Sequence, residues 1–499
     1  MQKDIVIAID EGTTNCKAMA IDSKGNVLAK ASRALEIATP NPGWVEQDGE
    51  VLFAKTLEVV AEVLTQVDPQ KVGCIGISNQ RETAIGWYRK TGKPLNMAMT
   101  WQCSRTADFC EKLRAENLTD KIKETTGLPV ATLFAGSKMR WLLDNTPNAL
   151  EEAQKGEVCL GTIDAWLLWN LTGGKEFKCD YSNAARTQLL SIKTASWDED
   201  MLKIYGIPKA ALPTICPSSY NFGTTLGLKG VPDGIPIMSM VGDSHAALYG
   251  HCLGEIGFVK TTYGTGSSVM APLPAPDTSV GALATTIAWH NGTNITYGIE
   301  GNINHTGDAL QWMSLVTRTN TLPDVNDYIN NIAQKAPTNL GIYFVPALTG
   351  AGAPWWQEKA RGVICGLTRG ATVDHLIRAA LESIAYQIAD VIDFMKKVPS
   401  FKLDTLMVDG GPTKNDWLMQ FQADLLGCKV SRSETSELSA IGAALLALKC
   451  KDNLSDEQLK ELIPSHFVFE PNAERTALYA KCKQEWDAAV RMTLNNIRA

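Results

Sequence analysis

The sequence predicts an α/β fold in two lobes, and three observations carry that prediction. Short apolar, β-prone runs alternate with helical patterns along 499 residues. Each half opens with the same unit, a strand, a Gly/Thr turn and a return strand, at 5–21 and again at 258–271. No disordered linker or short-period repeat interrupts the alternation. At roughly 150 residues per domain the length allows two to four domains. The boundary is placed near residue 250, dividing 1–250 from 251–499, with a cleft between the lobes as the natural place for a small ligand.

The elements follow in order. Ile5–Ile9 is five apolar residues in a row, Asp10–Asn15 is turn chemistry, Ala18–Ile21 returns as a strand, and 22–26 turns again. Leu52, Val59, Val60, Val63 and Leu64 recur near helical spacing, which predicts a helix over 50–66. Val72–Ser78 reads as a buried strand. Helical patterns follow near 105–115, 137–145 and 163–171, the last stopped by Gly173 and Gly174. Ile237–Val241 is a strand that delivers Asp243 to the head of a helix. In the second half, 258–263 and 268–271 flank the turn Gly264-Thr265-Gly266. Leu376, Ala380, Ile384, Ile388 and Val391 form one face of a helix over 373–398. The strand 406–408 meets Asp409-Gly410-Gly411, with a helix from about Lys414. Residues 440–449 form a small-residue helix and 472–497 a polar terminal one.

Composition excludes several classes. Apolar residues make up 45% and charged residues 20%, the balance of a folded globular chain, and the net charge of −7 argues against a nucleic-acid partner. The longest apolar-plus-Gly run, 440–448, falls far short of the ~20 residues of a membrane span. The five-residue run after Met1-Gln2-Lys3-Asp4 is too short for a signal peptide. Twelve cysteines without a Cys-x-x-Cys pair fit reduced thiols, so a cytoplasmic protein is expected. Six histidines without a His-Glu-x-x-His pattern argue against catalytic zinc.

Five short stretches carry chemistry. Asp10-Glu11-Gly12-Thr13-Thr14 offers backbone N–H groups and hydroxyls to anionic oxygens, with Asp10 suited to Mg²⁺ and Lys17 adding positive charge; a solvated hairpin would read the same. Gly264-Thr265-Gly266 is a common turn and lacks the third Gly of a dinucleotide fingerprint, and no P-loop occurs anywhere. Asp409-Gly410-Gly411 before a helix lets backbone approach a ligand, or is simply a tight turn. Asn79-Gln80-Arg81-Glu82-Thr83 follows a strand's C-terminal end, where α/β proteins place ligand groups, and Arg81 with Glu82 can grip hydroxyls as donor and acceptor. Asp243 reads first as a helix N-cap and second as a general base; His245, inside the helix, reads as structural. Among thirteen tryptophans Trp101 is a candidate pocket wall, and the others, Trp355-Trp356 included, are expected in the core.

Taken together in order and spacing, Asp-x-Gly-Thr-Thr at 10, Asn-Gln-Arg-Glu-Thr at 79, Gly-Asp at 242, Tyr-Gly-Thr-Gly at 263 and Asp-Gly-Gly at 409 resemble the FGGY carbohydrate kinases. Within that family the chain is most similar to the glycerol kinases. Further stretches that carry the likeness include Pro42–Asp48, Gly161–Trp166, Gly366–Gly370 and Met419–Asp424. The resemblance implies two ribonuclease-H-like lobes of the actin/hexokinase/Hsp70 superfamily around a central cleft that holds ATP. It implies that Gly12, Thr13 and Thr14 meet the terminal phosphates, with Lys17 where arginine is usual. Thr265, Gly266, Gly307 and Gln311 would line the phosphate and ribose region, and Gly411 with Asn415 the adenosine side. Asp10 and Asp243 would organise Mg²⁺, Asp243 acting also as general base. Arg81, Glu82 and Trp101 would hold the acceptor.

Three departures fall on the acceptor pocket: Leu133 where glycerol kinases carry a tyrosine, Ser244 where they carry glutamine, and Ser268 where they carry phenylalanine. A fourth is Gln357, where aspartate is usual after the aromatic at Trp356. Losing two rings enlarges the slot and resets its hydrogen bonds. The expected reaction is therefore ATP-dependent phosphorylation of a C4–C5 polyol or sugar rather than glycerol, with glycerol phosphorylation as the alternative. A catalytically silent sugar-binding protein is disfavoured, because it would need neither Asp10 nor Asp243. The oligomeric state stays open between homodimer and homotetramer.

Overall fold

The computed structural model describes residues 3–495. Met1 and Gln2 of the N-terminal reading, and positions 496 and 497 of the terminal helix, lie outside the described residues; that helix is found as Ala473–Asn495.

The first lobe is built on a six-stranded sheet. Its strands are β1 (Ile5–Glu11), β2 (Asn15–Ile21), β3 (Val27–Ala34), β4 (Val72–Asn79), β5 (Ser219–Thr224) and β6 (Pro236–Gly242), in spatial order β5-β6-β4-β1-β2-β3. β1, β4 and β6 run parallel, and β1-β2-β3 is an antiparallel meander. The unbroken apolar run of β1 exists because both faces are covered. Ile5, Ile7 and Ile9 pack toward α1 (Gly49–Thr65), while Val6 and Ala8 face a second core on the other side.

The second sheet repeats that grammar. It comprises β7 (Phe258–Tyr263), β8 (Ser267–Leu273), β9 (Ala284–His290), β10 (Ile295–Ile303), β11 (Thr405–Gly410), β12 (Lys429–Ser433) and β13 (His466–Phe469), ordered β9-β10-β8-β7-β11-β12-β13. β7 pairs antiparallel with β8 and parallel with β11, as β1 does with β2 and β4. The helix predicted over 373–398 is Val373–Met395; it stops short where Pro399 disfavours helix at the residue before it.

Two helices join the sheets. α2 (Asp243–Cys252) follows β6, and α3 (Leu438–Asp452) comes from the far end of the chain. Their residues share one core with Val6, Ala8 and Cys74 of the first sheet and Met270, Ala288 and Trp289 of the second. α3 is buried all round from Ala440 to Leu448, which is why its sequence is small and apolar without an amphipathic stripe. Glycines set the crossing distance: a Cβ on Gly442 would lie 1.8 Å from the Ala246 carbonyl oxygen, and one on Gly250 would lie 2.7 Å from that of Leu438.

The sequence reading did not anticipate a four-stranded sheet of Glu46–Gln47, Ala98–Met99, Ala84–Tyr88 and Val158–Thr162, which with nearby helices forms an added layer on the first lobe. It also missed the hairpin of β9 and β10. Nor are all tryptophans but Trp101 in the core: Trp312 is 36% and Trp356 42% exposed, the latter at φ 48°. No helix among the described residues is long and apolar enough to cross a membrane.

Gly442→Ala has no room against the facing helix backbone and is expected to lower unfolding free energy by about 1–3 kcal/mol in urea titration. Gly281→Ala, where a Cβ meets nothing within 4 Å, serves as the unchanged control.

Candidate active site

Three parallel strands end together. Glu11 of β1 is level with Asn79 of β4, and Asn79 with Gly242 of β6, so Asp10, Gln80-Arg81-Glu82 and Asp243 leave the sheet at one edge. That is the carboxyl end, where α/β sheets bind ligands. The β1–β2 turn closes with Gly12 N–H donating to the Asn15 carbonyl, 3.0 Å. Trp101 stands over this turn, 38% exposed, its Nε1 donating to Thr13 Oγ1 at 2.9 Å. Lys17 lies on β2 opposite Asp10 and pairs at 3.0 Å with Glu437, the residue before α3.

The nucleotide-side candidates gather on the second sheet. Gly264 N–H donates to Gly266 O at 2.9 Å, and Gly307 N–H to Gly264 O at 3.0 Å, so the β7–β8 turn and the start of helix Gly307–Val316 are one backbone unit. A Cβ on Gly307 would sit 2.5 Å from Gly264 O. Thr265 is exposed, and Gln311, four residues beyond Gly307, is exposed on the same helix face. Gly307 also approaches Pro412, next to Gly411, where a Cβ would meet open space. Asn415 caps helix Asp416–Leu426, accepting from Leu418 N–H at 2.8 Å, and its amide donates to Asn330.

The acceptor-side candidates are tied together by charge. Arg81 Nε donates to Asp243 Oδ1 at 3.1 Å, and its two terminal nitrogens fork the carboxylate of Glu300 at 3.3 and 2.9 Å. Arg186 Nε donates to Glu82, and Arg186 Nη2 lies 2.8 Å from Glu300 Oε2. Ser268 Oγ donates to Glu300 Oε1 at 3.0 Å. The hydroxyl of Ser244, which is partly buried, accepts from Lys260 Nζ at 3.3 Å. Leu133 is half-buried beside Phe134 and Ala284, and Lys138 Nζ binds the backbone carbonyls of both Leu133 and Glu82, at 2.6 and 3.2 Å. Asp243 is not the N-cap: Gly242 is, in extended conformation, and the Asp243 side chain turns instead to Arg81 and to its neighbour's N–H.

Burial shapes the titration of the site. Desolvation, with the Asp243 charge adding, raises the Asp10 carboxyl to about 6, against a hydrogen bond from Ser78. Asp10 and Asp243 offer carboxylate oxygens, the donors a hard divalent cation such as Mg²⁺ uses, so the residue types fit that ion. Burial raises Glu11 to about 8; its Oε1 accepts from Gln80 and its Oε2 has no partner among the described residues. Burial alone would raise Glu300, but Arg186 and Arg81 outweigh it and hold that carboxyl well below its usual range. His245 is fully buried, and desolvation with Arg81 and Arg186 beside it keeps the ring neutral.

Lys138, Arg186 and Glu300 are not among the sequence candidates, and Glu11 stands among them only as part of the stretch 10–14. Glu300 had a signal: a lone carboxylate between Ile299 and Gly301 inside an apolar run. Arg186 and Lys138 had none, because the contacts that tie them to Glu82 span 104 and 56 residues.

Residues 5–250 match the N-terminal domain, and 259–449 the C-terminal domain, of the FGGY family of carbohydrate kinases. The chain is 43% identical to an apulose kinase of Pectobacterium atrosepticum over 98% of each protein. It is 42% identical to glycerol kinase 2 of Thermotoga maritima over 96% of this chain and 97% of that protein. Among solved structures, Plasmodium falciparum glycerol kinase with ADP superposes with a TM-score of 0.91 at 32% identity, covering 99% of both chains.

The Glu11 carboxyl binds its proton more tightly in the folded state than at its ordinary value of 4.5, so this group makes stability fall as pH rises from 4.5 to about 8. Glu11→Gln is expected to flatten the decline of Tm across that window; a slope identical to wild type would contradict the assignment.

Proposed function

The chain belongs to the FGGY family of carbohydrate kinases, and on that premise we propose how its residues share the work and which acceptors it takes. It is an ATP-dependent phosphotransferase acting on a hydroxyl of a small sugar or polyol, in two ribonuclease-H-like lobes. In our reading 1–250 holds the acceptor and the first phosphate turn, and 251–499 binds the nucleotide.

At the turn that Gly12 closes, the N–H groups and hydroxyls of Thr13 and Thr14, with the charge of Lys17, receive the terminal phosphates, and Gly12 lets them approach its backbone. Thr265, Gly266, Gly307 and Gln311 line the inner phosphates and ribose, and Gly411 and Asn415 border the adenine side. Asp10 and Asp243 would hold Mg²⁺, which supplies neutralisation of triphosphate charge when bound. Arg81 and Glu82 orient hydroxyls next to the reacting one, with Trp101 as a wall. Asp243 takes the proton of the reacting hydroxyl. The acceptor oxygen then bonds to the γ-phosphorus as the bond to the β–γ bridging oxygen breaks, and ADP leaves. The observation that carries this reading is the convergence of Asp10, Arg81 and Asp243 on one sheet edge, with Arg81 bonded to Asp243 at 3.1 Å.

The acceptor is proposed to be a C4–C5 sugar or polyol. Leu133 and Ser268 replace rings, and the Ser268 hydroxyl is spent on Glu300, so its position adds space rather than a free donor. The apulose kinase relative supports this reading. Glycerol is the second reading, supported by the comparable identity to a glycerol kinase. All twelve cysteines are unpaired, which suits the cytoplasm; assembly as a homodimer or homotetramer accords with either acceptor.

With Mg-ATP and a panel of glycerol, C4–C6 polyols, ketoses and aldoses, kcat/KM is expected to be highest for a C4–C5 compound; a large excess for glycerol refutes the acceptor class. Asp243→Asn is expected to cut acceptor-dependent ADP release by about 100-fold or more while nucleotide binding persists. Wild-type turnover in that variant removes Asp243 from the base role.

A further inference from the structure

The two side chains proposed to hold the acceptor are themselves held, and by a residue of the other lobe. Arg81 and Glu82 are neighbours in sequence yet do not pair. Glu82 adopts a left-handed backbone conformation, φ 61°, and its carboxylate goes to Arg186 while Arg81 goes to Asp243 and Glu300. Both branches return to Glu300, which takes the fork of Arg81 on one side and Arg186 Nη2 on the other. The result is an alternating series, Glu82, Arg186, Glu300, Arg81, Asp243, buried everywhere but at the Asp243 end.

Four of those five residues lie within 81–243, at or beside the first sheet. Glu300 alone comes from the second, in the middle of β10. Its neighbour across the sheet, β8, supplies the third contact, Ser268. The same two strands carry the nucleotide side: β8 begins immediately after Gly266, and β10 ends four residues before Gly307. One pair of strands therefore connects the grip on Arg81 to the turns around the phosphates.

We propose that Glu300, braced by Arg186 and Ser268, is the positioning residue that sets Arg81 and Glu82 for the acceptor, so that the acceptor half of the site is complete only with the second lobe in place. This rests on the reading of Arg81 and Glu82 as acceptor-holding residues. A fork onto a buried carboxylate fixes a guanidinium in plane and direction, which no water-filled alternative would do. Without the Glu300 charge, Arg81 has only Asp243 as an anionic partner and swings toward it, and Arg186 draws on Glu82 alone.

The test uses full-length enzyme with whichever acceptor wild type uses best, glycerol included, so the result does not depend on the acceptor class. Glu300→Gln is expected to raise acceptor KM about tenfold or more, with a smaller fall in kcat, while ADP affinity by calorimetry stays within about twofold. Ser268→Ala, which removes one hydrogen bond from Glu300, is expected to raise acceptor KM about two- to tenfold with ADP affinity unchanged. Unchanged acceptor KM in folded Glu300→Gln overturns the proposal, as does a parallel loss of acceptor and ADP binding with a lowered Tm, the mark of a merely structural role. If Glu300→Gln does not fold, Ser268→Ala decides: a selective rise in acceptor KM supports the proposal and an unchanged KM overturns it. Arg81→Lys separates the two levels. A raised acceptor KM there with none in Glu300→Gln removes Glu300 only, whereas no change in Arg81→Lys removes the acceptor reading and the proposal together.

Discussion

The carboxylate of Glu300 between two buried guanidiniums is the interaction on which the site's geometry depends. A lone ion in that interior would cost several kcal/mol of lost hydration, and a pair recovers the cost only with close, well-directed contacts. Here the signs alternate through five residues, and each interior member has a counter-ion on both sides. Removing any interior member strands its neighbours, so the arrangement is held collectively and tolerates little displacement. The series opens toward solvent at its Asp243 end.

That series could not form unless the sheets came close. The approach is set by α2 and α3, which touch backbone to backbone at Gly250 and Gly442 and fill the space between the sheets with alanine and leucine. Side chains of ordinary size at those glycines would push the helices apart by more than a hydrogen bond's tolerance. The packing of α3 against α2, which also brings Ser439 Oγ to the Asp243 carbonyl at 3.1 Å, thus helps decide whether Glu300 reaches Arg81. The close pairing of Lys260 with Ser244 is a second contact of the same kind, again joining a strand of the second sheet to the head of α2.

Backbone and side chains divide the candidate site between them. The turns around Gly12 and Gly264 are held by backbone hydrogen bonds and glycine contacts, which leave little room for a side chain. Around Arg81 and Glu82 the contacts are made by side chains: Ser268 bonds Glu300, and Lys138 ties together the backbone carbonyls of Leu133 and Glu82.

Local chemistry made much of this chain legible in sequence. Runs such as Ile5–Ile9 and the spacing of Leu376, Ala380, Ile384 and Ile388 specify strand and helix because burial repeats with a fixed period. Turn residues at 10–15 and 264–266 specify where the backbone reverses, and the order of five motifs specified the family. The added sheet at 84–162 was missed because its strands are short and sit between helical patterns, whereas the Asn291-Gly292 loop of β9 and β10 carried a hairpin signal that went unused. What the sequence could not give is which charge meets which. Arg81 finds Glu300 across 219 residues and Arg186 finds Glu82 across 104. An ion pair between distant segments, unlike one within a helix, has no period and no preferred spacing along a chain, so only the packing of two sheets on two helices decides it.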